Sequence, residues 1–169
     1  MKISVMVTTL CLLVGISPLA AGAPRQSQDP IESIRERYAN INNKAATYRK
    51  VKKDLSGYSA EGGELVAYFH GPSIMKMVAT FYGEMGRAME EYYYWNGKLI
   101  FVLRQELRYD KPLSGKVVSK KENRFYFAGD RLVRWIDENG KQTEPTASAE
   151  NQYLKSSKEF SEAARSKGK

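Results

Sequence analysis

Apolar residues fall at Ile31, Ile34, Tyr38, Ile41, Ala45 and Tyr48, spaced 3, 4, 3, 4 and 3 apart. That spacing marks one face of an α-helix. Asp29-Pro30-Ile31-Glu32 opens it with an N-cap, a first-turn proline and a capping-box glutamate. The stripe predicts a helix of roughly 20 residues and about 30 Å. Its far end would carry Arg49, Lys50, Lys52 and Lys53, where the helix dipole favours cations.

From Tyr58 to Ile136 aromatics crowd in and Gly-containing turns recur at hairpin distance. Asn96-Gly97 is the strongest of these signals, and pairing outward from it sets Tyr94 against Leu99, Tyr92 against Phe101, Glu90 against Leu103 and Arg87 against Glu106. Gly129-Asp130 does the same for Phe127 with Leu132, Phe125 with Arg134 and Arg124 with Trp135. Further turns are expected at Gly83-Glu84-Met85-Gly86 and His70-Gly71-Pro72-Ser73, and a loop from Asp110 to Lys121. Successive hairpins make an antiparallel meander of about six strands.

Counting across the turns places Met75, Met77, Ala79, Phe81, Ala88, Tyr92, Tyr94, Leu99, Phe101 and Leu103 on one apolar face. The N-terminal helix is expected to roof that face. The other face would present Arg87, Glu91, Tyr93, Trp95, Arg104 and Glu106, with Arg87 opposite Glu106 and Glu91 diagonal to Arg104. A second helix is expected around 150–165, packing through Tyr153, Leu154, Phe160 and Ala164. The resulting fold class is α+β, with the N-terminal helix on one face of the meander and a C-terminal helix after it.

The first residues change the setting. Lys2, the apolar run from Ile3 to Val14, the breakers Gly15 and Pro18, and the small residues Ala21-Gly22-Ala23 form the pattern of a secretory signal peptide. The expected organisation is a signal peptide over 1–23, a disordered leader over 24–28, one domain over 29–165 and a frayed tail over 166–169. Processing would leave 146 of the 169 residues, sited in the periplasm or outside the cell. Cys11, the only cysteine, leaves with the signal, so disulfides, thiolate catalysis and Cys-ligated metals are excluded from the mature chain.

The mature chain would carry 26 basic and 19 acidic residues. Residues 24–53 hold eight of the cations against three acids, whereas 54–140 are balanced. A basic first helix suits an anionic envelope surface or an acidic partner, and the balanced centre argues against a nucleic-acid reader. One histidine, His70, cannot make a His-rich zinc site, and no phosphate-cradling loop, dinucleotide fingerprint or nucleophile elbow is present. No cofactor is implied. Glu90 and Glu91 are adjacent, so a strand sends them to opposite faces.

Tyr93-Tyr94-Trp95-Asn96-Gly97-Lys98-Leu99-Ile100 is similar to the hairpins of MORN-type repeats, which carry Tyr-Tyr-x-Asn-Gly-x-Leu. Residues Phe125 to Val133 repeat the pattern with one inserted residue. The resemblance covers about 20 residues and implies a hairpin-built sheet. As a whole the chain also resembles small exported bacterial proteins of unassigned function, a likeness that implies no site.

The expected function is non-catalytic binding, as an accessory or inhibitory partner of an envelope or extracellular protein. The contact surface would be Arg87, Glu91, Tyr93, Trp95, Arg104 and Glu106. Alanine at Trp95 and Arg104 should then leave stability within about 1 kcal/mol, as at surface sites. The alternatives are a weak hydrolase of cell-wall material working through Glu91 or Glu106, and a self-associating structural protein.

Overall fold

A computed structural model describes residues 29–166. The proposed signal peptide, the leader and residues 167–169 of the tail lie outside the described residues. Helix α1 (Pro30–Asn43) starts where the cap pattern places it, with the Ile31 N–H donating to Asp29 Oδ1 at 2.9 Å. It ends after 14 residues, at Asn42-Asn43, and a 3-10 turn over Ala45–Thr47 follows. The turn keeps Ala45 and Tyr48 packed against the same cluster as the helix stripe. The periodicity therefore outlives the helix that it marks.

Eight strands follow in strict meander order, each antiparallel to the next. They are β1 (Arg49–Asp54), β2 (Gly63–His70), β3 (Ser73–Gly83), β4 (Gly86–Trp95), β5 (Lys98–Tyr109), β6 (Val117–Ala128), β7 (Arg131–Ile136) and β8 (Gln142–Thr143). Helix α2 (Ala147–Arg165) closes the chain, capped where Thr146 Oγ1 accepts from the Ala149 N–H. The α+β architecture is thus as expected, with two additional edge strands. The basic run expected at the end of the first helix is instead β1, whose only apolar residue is Val51. An edge strand needs little apolar pattern, and Lys50, Lys52 and Lys53 discourage pairing with another chain.

Both faces of the sheet are roofed. Met77, Ala79, Tyr92, Tyr94, Leu99, Val102, Phe125 and Phe127 pack under Tyr153, Phe160 and Ala164 of α2. Tyr93, Ile100, Phe101, Leu103 and Tyr126 pack under Ile31, Ile34 and Ile41 of α1. The face expected to lie beneath the first helix therefore lies mostly beneath α2.

That face is also split, by a bulge repeated in three hairpins. Tyr94 faces Leu99, but Tyr93 then faces Phe101, leaving Ile100 as the extra residue. Phe127 faces Leu132 while Tyr126 faces Arg134, leaving Val133 over. Phe69 faces Ile74 while Tyr68 faces Lys76, leaving Met75 over. In each hairpin an aromatic residue on the α2 face stands five positions before Ile74, Leu99 or Leu132. The two similar hairpins thus match without an insertion, and their turns (Asn96-Gly97, Gly129-Asp130) have positive φ at both central residues, the type I′ arrangement. A bulge shifts every later pairing by one and so exchanges the faces. Phe101 and Leu103 thereby move to the α1 side. Tyr92 faces Val102, Glu90 faces Arg104 and Arg87 faces Leu107, and in the last hairpin Phe125 faces Trp135 and Arg124 faces Ile136.

Candidate functional site

The same one-residue shift separates the six residues expected to form a contact surface. Arg104 and Glu106 lie on the α2 face, whereas Arg87, Glu91, Tyr93 and Trp95 lie on the α1 face. Tyr93 is fully buried beneath Tyr38, with ring centroids 4.7 Å apart. Its hydroxyl donates its one proton to the Glu91 carboxylate and lies 3.1 Å from Asn42 Oδ1. Burial, with Glu91 beside it, pushes the Tyr93 phenol well above its ordinary value. Lys76 joins this group, with Nζ 2.8 Å from Glu91 Oε2 and 3.1 Å from Asn42 Oδ1. The cluster ties the end of α1 to β3 and β4.

Trp95 is half-buried, with the Arg37 guanidinium 5.1 Å from its ring centre. Arg87 has a buried Nε without a hydrogen-bond partner among the described residues.

On the opposite side, Glu90 is buried at 5 % exposure. It accepts from the Tyr92 hydroxyl at 2.5 Å and from Arg104 Nη1 at 2.9 Å. Arg104 also donates from Nε and Nη2 to Glu106 Oε1. Glu91 and Glu106 stand on opposite faces of the sheet, each bonded to a cation, so they cannot act as one acid–base couple on a substrate. Among the described residues no group of His, Cys, Asp and Glu is placed to hold a metal ion.

A groove of about 460 Å³ opens where α1 stops covering β5 and β6. Phe101 pairs with Tyr126, Leu103 with Arg124 and Gln105 with Glu122, which sets alternate side chains of both strands toward α1. Phe101, Leu103 and Tyr126 make a buried apolar floor, with ring centroids of Phe101 and Tyr126 4.9 Å apart. Ile34, Arg35 and Tyr38 form the helical wall, and Lys120, Glu122 and Arg124 the outer rim.

Glu122 is the rim's one acid. Partial burial raises its pKa, but hydrogen bonds from Lys120, Arg124 and Gln105 outweigh that and hold it below its ordinary value. Arg124 Nη2 is 2.6 Å and Gln105 Nε2 2.9 Å from the carboxylate. The acid is thus committed to its neighbours, and the rim presents a surplus of positive charge from Arg35, Lys120 and Arg124.

Sequence reasoning brought Tyr38 into the helix stripe and Phe101 and Leu103 into an apolar face. It set that helix over Phe101 and Leu103, but left open the register of the last hairpin, which brings Tyr126 and Arg124 to the same side. Arg35 and Lys120 carried no signal beyond their charge.

Comparisons of the chain with family models, with curated proteins and with solved structures return no match.

Proposed function

We propose that the chain is an exported, non-catalytic binding protein, an accessory or inhibitory partner of an envelope or extracellular protein, and that it makes contact through the groove beside α1. The observation that carries this reading is the juxtaposition of an aromatic floor with a cationic rim. Phe101, Leu103 and Tyr126 lie at the bottom of an open groove fringed by Arg35, Lys120 and Arg124. Rigid aromatics and arginine around a pocket are the residue types that dominate binding energy at interfaces. The complementary partner is an acidic segment that inserts one apolar or aromatic side chain.

The edges of the sheet favour this reading over self-association. Lysines on β1 and the two-residue length of β8 are devices that hinder strand-to-strand pairing between copies.

The test uses fluorescence anisotropy with short peptides that carry a central Phe or Leu flanked by acidic residues, and with their basic counterparts. Selective binding of the acidic set is expected, weakening as salt rises. Arg35→Glu together with Lys120→Glu should abolish it without lowering the melting temperature. Equal binding of both peptide sets, or unchanged binding by the double variant, overturns the reading. Recovery from the exporting host as a chain lacking residues 1–23 checks the export half.

A further inference from the structure

Seven large apolar side chains are exposed among the described residues, and six of them sit at one end of the sheet. Tyr58 lies in the loop between β1 and β2, Tyr82 at the end of β3 and Met85 in the β3–β4 turn, Leu113 in the β5–β6 connection, and Val117 and Val118 at the start of β6. The seventh, Val133, is the bulge residue near the other end. A soluble surface normally scatters such residues singly; gathering them at one tip marks an interaction site.

The tip is built rather than loose. Leu113 N–H donates to Glu84 O at 2.8 Å and Tyr109 N–H to Met85 O at 2.8 Å, so the β5–β6 loop is docked on the β3–β4 turn. Within the loop, Ser114 Oγ bonds Asp110 Oδ1 at 2.6 Å, Lys116 N–H bonds Ser114 Oγ at 3.2 Å, and Asp110 N–H bonds Lys116 O at 3.1 Å. These bonds hold Leu113 at φ +55°, with its side chain 73 % exposed. A leucine in the left-handed region, pointed into water, is costly for the isolated fold.

Cations outnumber acids along the β5–β6 connection. Residues 108–121 contain Arg108, Lys111, Lys116, Lys120 and Lys121 against the single acid Asp110; Lys116 pairs with Asp110, Lys120 with Glu122 and Lys121 with Glu138, and Glu84 lies in the adjoining turn. We propose that this tip docks the protein on an anionic lipid bilayer, with Leu113, Val117, Val118 and Met85 entering the interfacial layer and the flanking lysines and arginine meeting the headgroups. Exposed apolar residues beside an excess of basic ones match an anionic interface, where both features stabilise the bound state. Among the described residues no helix is long and apolar enough to cross a membrane, so the contact is peripheral. The groove beside α1 shares Lys120 with this segment, but its floor of Phe101, Leu103 and Tyr126 would stay free for its partner.

The test is vesicle flotation of the full chain with phosphatidylcholine alone and with added phosphatidylglycerol. Binding above the phosphatidylcholine level is expected with the anionic lipid. Leu113→Asp with Val118→Asp should cut the bound fraction at least tenfold, and Lys111→Glu with Lys116→Glu should do the same at low salt. Because the N-terminal residues are present in every variant, a binding change reports the tip alone. Leu113→Trp provides a local readout: lipids brominated on their acyl chains should quench its emission beyond that of the parent, which keeps Trp95 and Trp135. Absence of binding, equal binding by the Asp variants, or no added quenching at position 113 overturns the proposal. So does a parent dimer that the Asp variants convert to a monomer while no vesicles are bound, which would assign the tip to a second copy.

Discussion

Arg104→Ala separates the two readings of the sheet face most sharply. In the register counted from the sequence, Arg104 is a solvated rim residue and its loss costs about 1 kcal/mol at most. Among the described residues it is the one cation bonded to Glu90, whose side chain is 6 % exposed. Removing one member of a buried ion pair costs about 3–5 kcal/mol, because the other charge is left without compensation. The Arg104 side chain is itself 30 % exposed, so water enters in its place and the lower end, about 3 kcal/mol, is expected. The second bond, to Glu106, adds little: that carboxylate is half-exposed, and exposed pairs are worth about 0–1 kcal/mol. Urea unfolding of the parent, Arg104→Ala and Glu106→Gln at constant m measures each cost. The expected order is a large loss for Arg104→Ala and a small one for Glu106→Gln. Arg104→Ala within about 1 kcal/mol of the parent would refute the Glu90–Arg104 pairing, and with it the bulge at Ile100.

Two further outcomes follow from packing and burial. Burial pushes the phenols of Tyr92, Tyr93, Tyr94 and Tyr153 above the ordinary 10.0. Since the unfolded chain loses these protons first, their stabilisation is complete below about pH 10 and is lost as pH rises beyond it. Phenolate absorbance should therefore rise in two phases, the second coinciding with loss of the folded circular dichroism signal; one smooth phase with the fold intact would contradict the burial. Gly86→Ala would place a Cβ 2.2 Å from the Leu107 backbone oxygen, so β4 and β5 must separate there; a cost of about 1–3 kcal/mol or more is expected from overpacking, and an unchanged urea midpoint would contradict that close approach.

Local signals in the chain were sufficient for the elements and their order. The Asp29 cap, the Asn96-Gly97 and Gly129-Asp130 turns and the Glu84-Met85 tip all act through neighbouring residues, so they read directly. The helix stripe overran because a 3-10 turn keeps Tyr48 on the same side as Ile41. Strand β1 escaped because Arg49–Asp54 lies at an edge and takes its place from pairing with β2 rather than from alternation. The face assignment failed at Ile100, since a bulge leaves no mark in hydrophobicity: Leu99, Ile100 and Phe101 are all apolar, and either parity satisfies them. The candidate groove shares part of that ambiguity: Phe101 and Leu103 are expected under the helix without the shift, but Tyr126 and Arg124 join them only through the pairing of β6 with β5. Arg104 illustrates the same point in charge: counted without the bulge, its partner Glu90 falls opposite Leu103.

The three bulged turns also fix where the molecule is free to change. Each acts as a phase reset, setting which side chains point up or down for the remainder of its hairpin, measured from the turn rather than from the distant loop. Adding residues two at a time at the far loops would lengthen the projecting arm while every seated side chain keeps its orientation. Reach and packing are thereby uncoupled, and the arm can be adapted to a nearer or deeper target without rebuilding the interior.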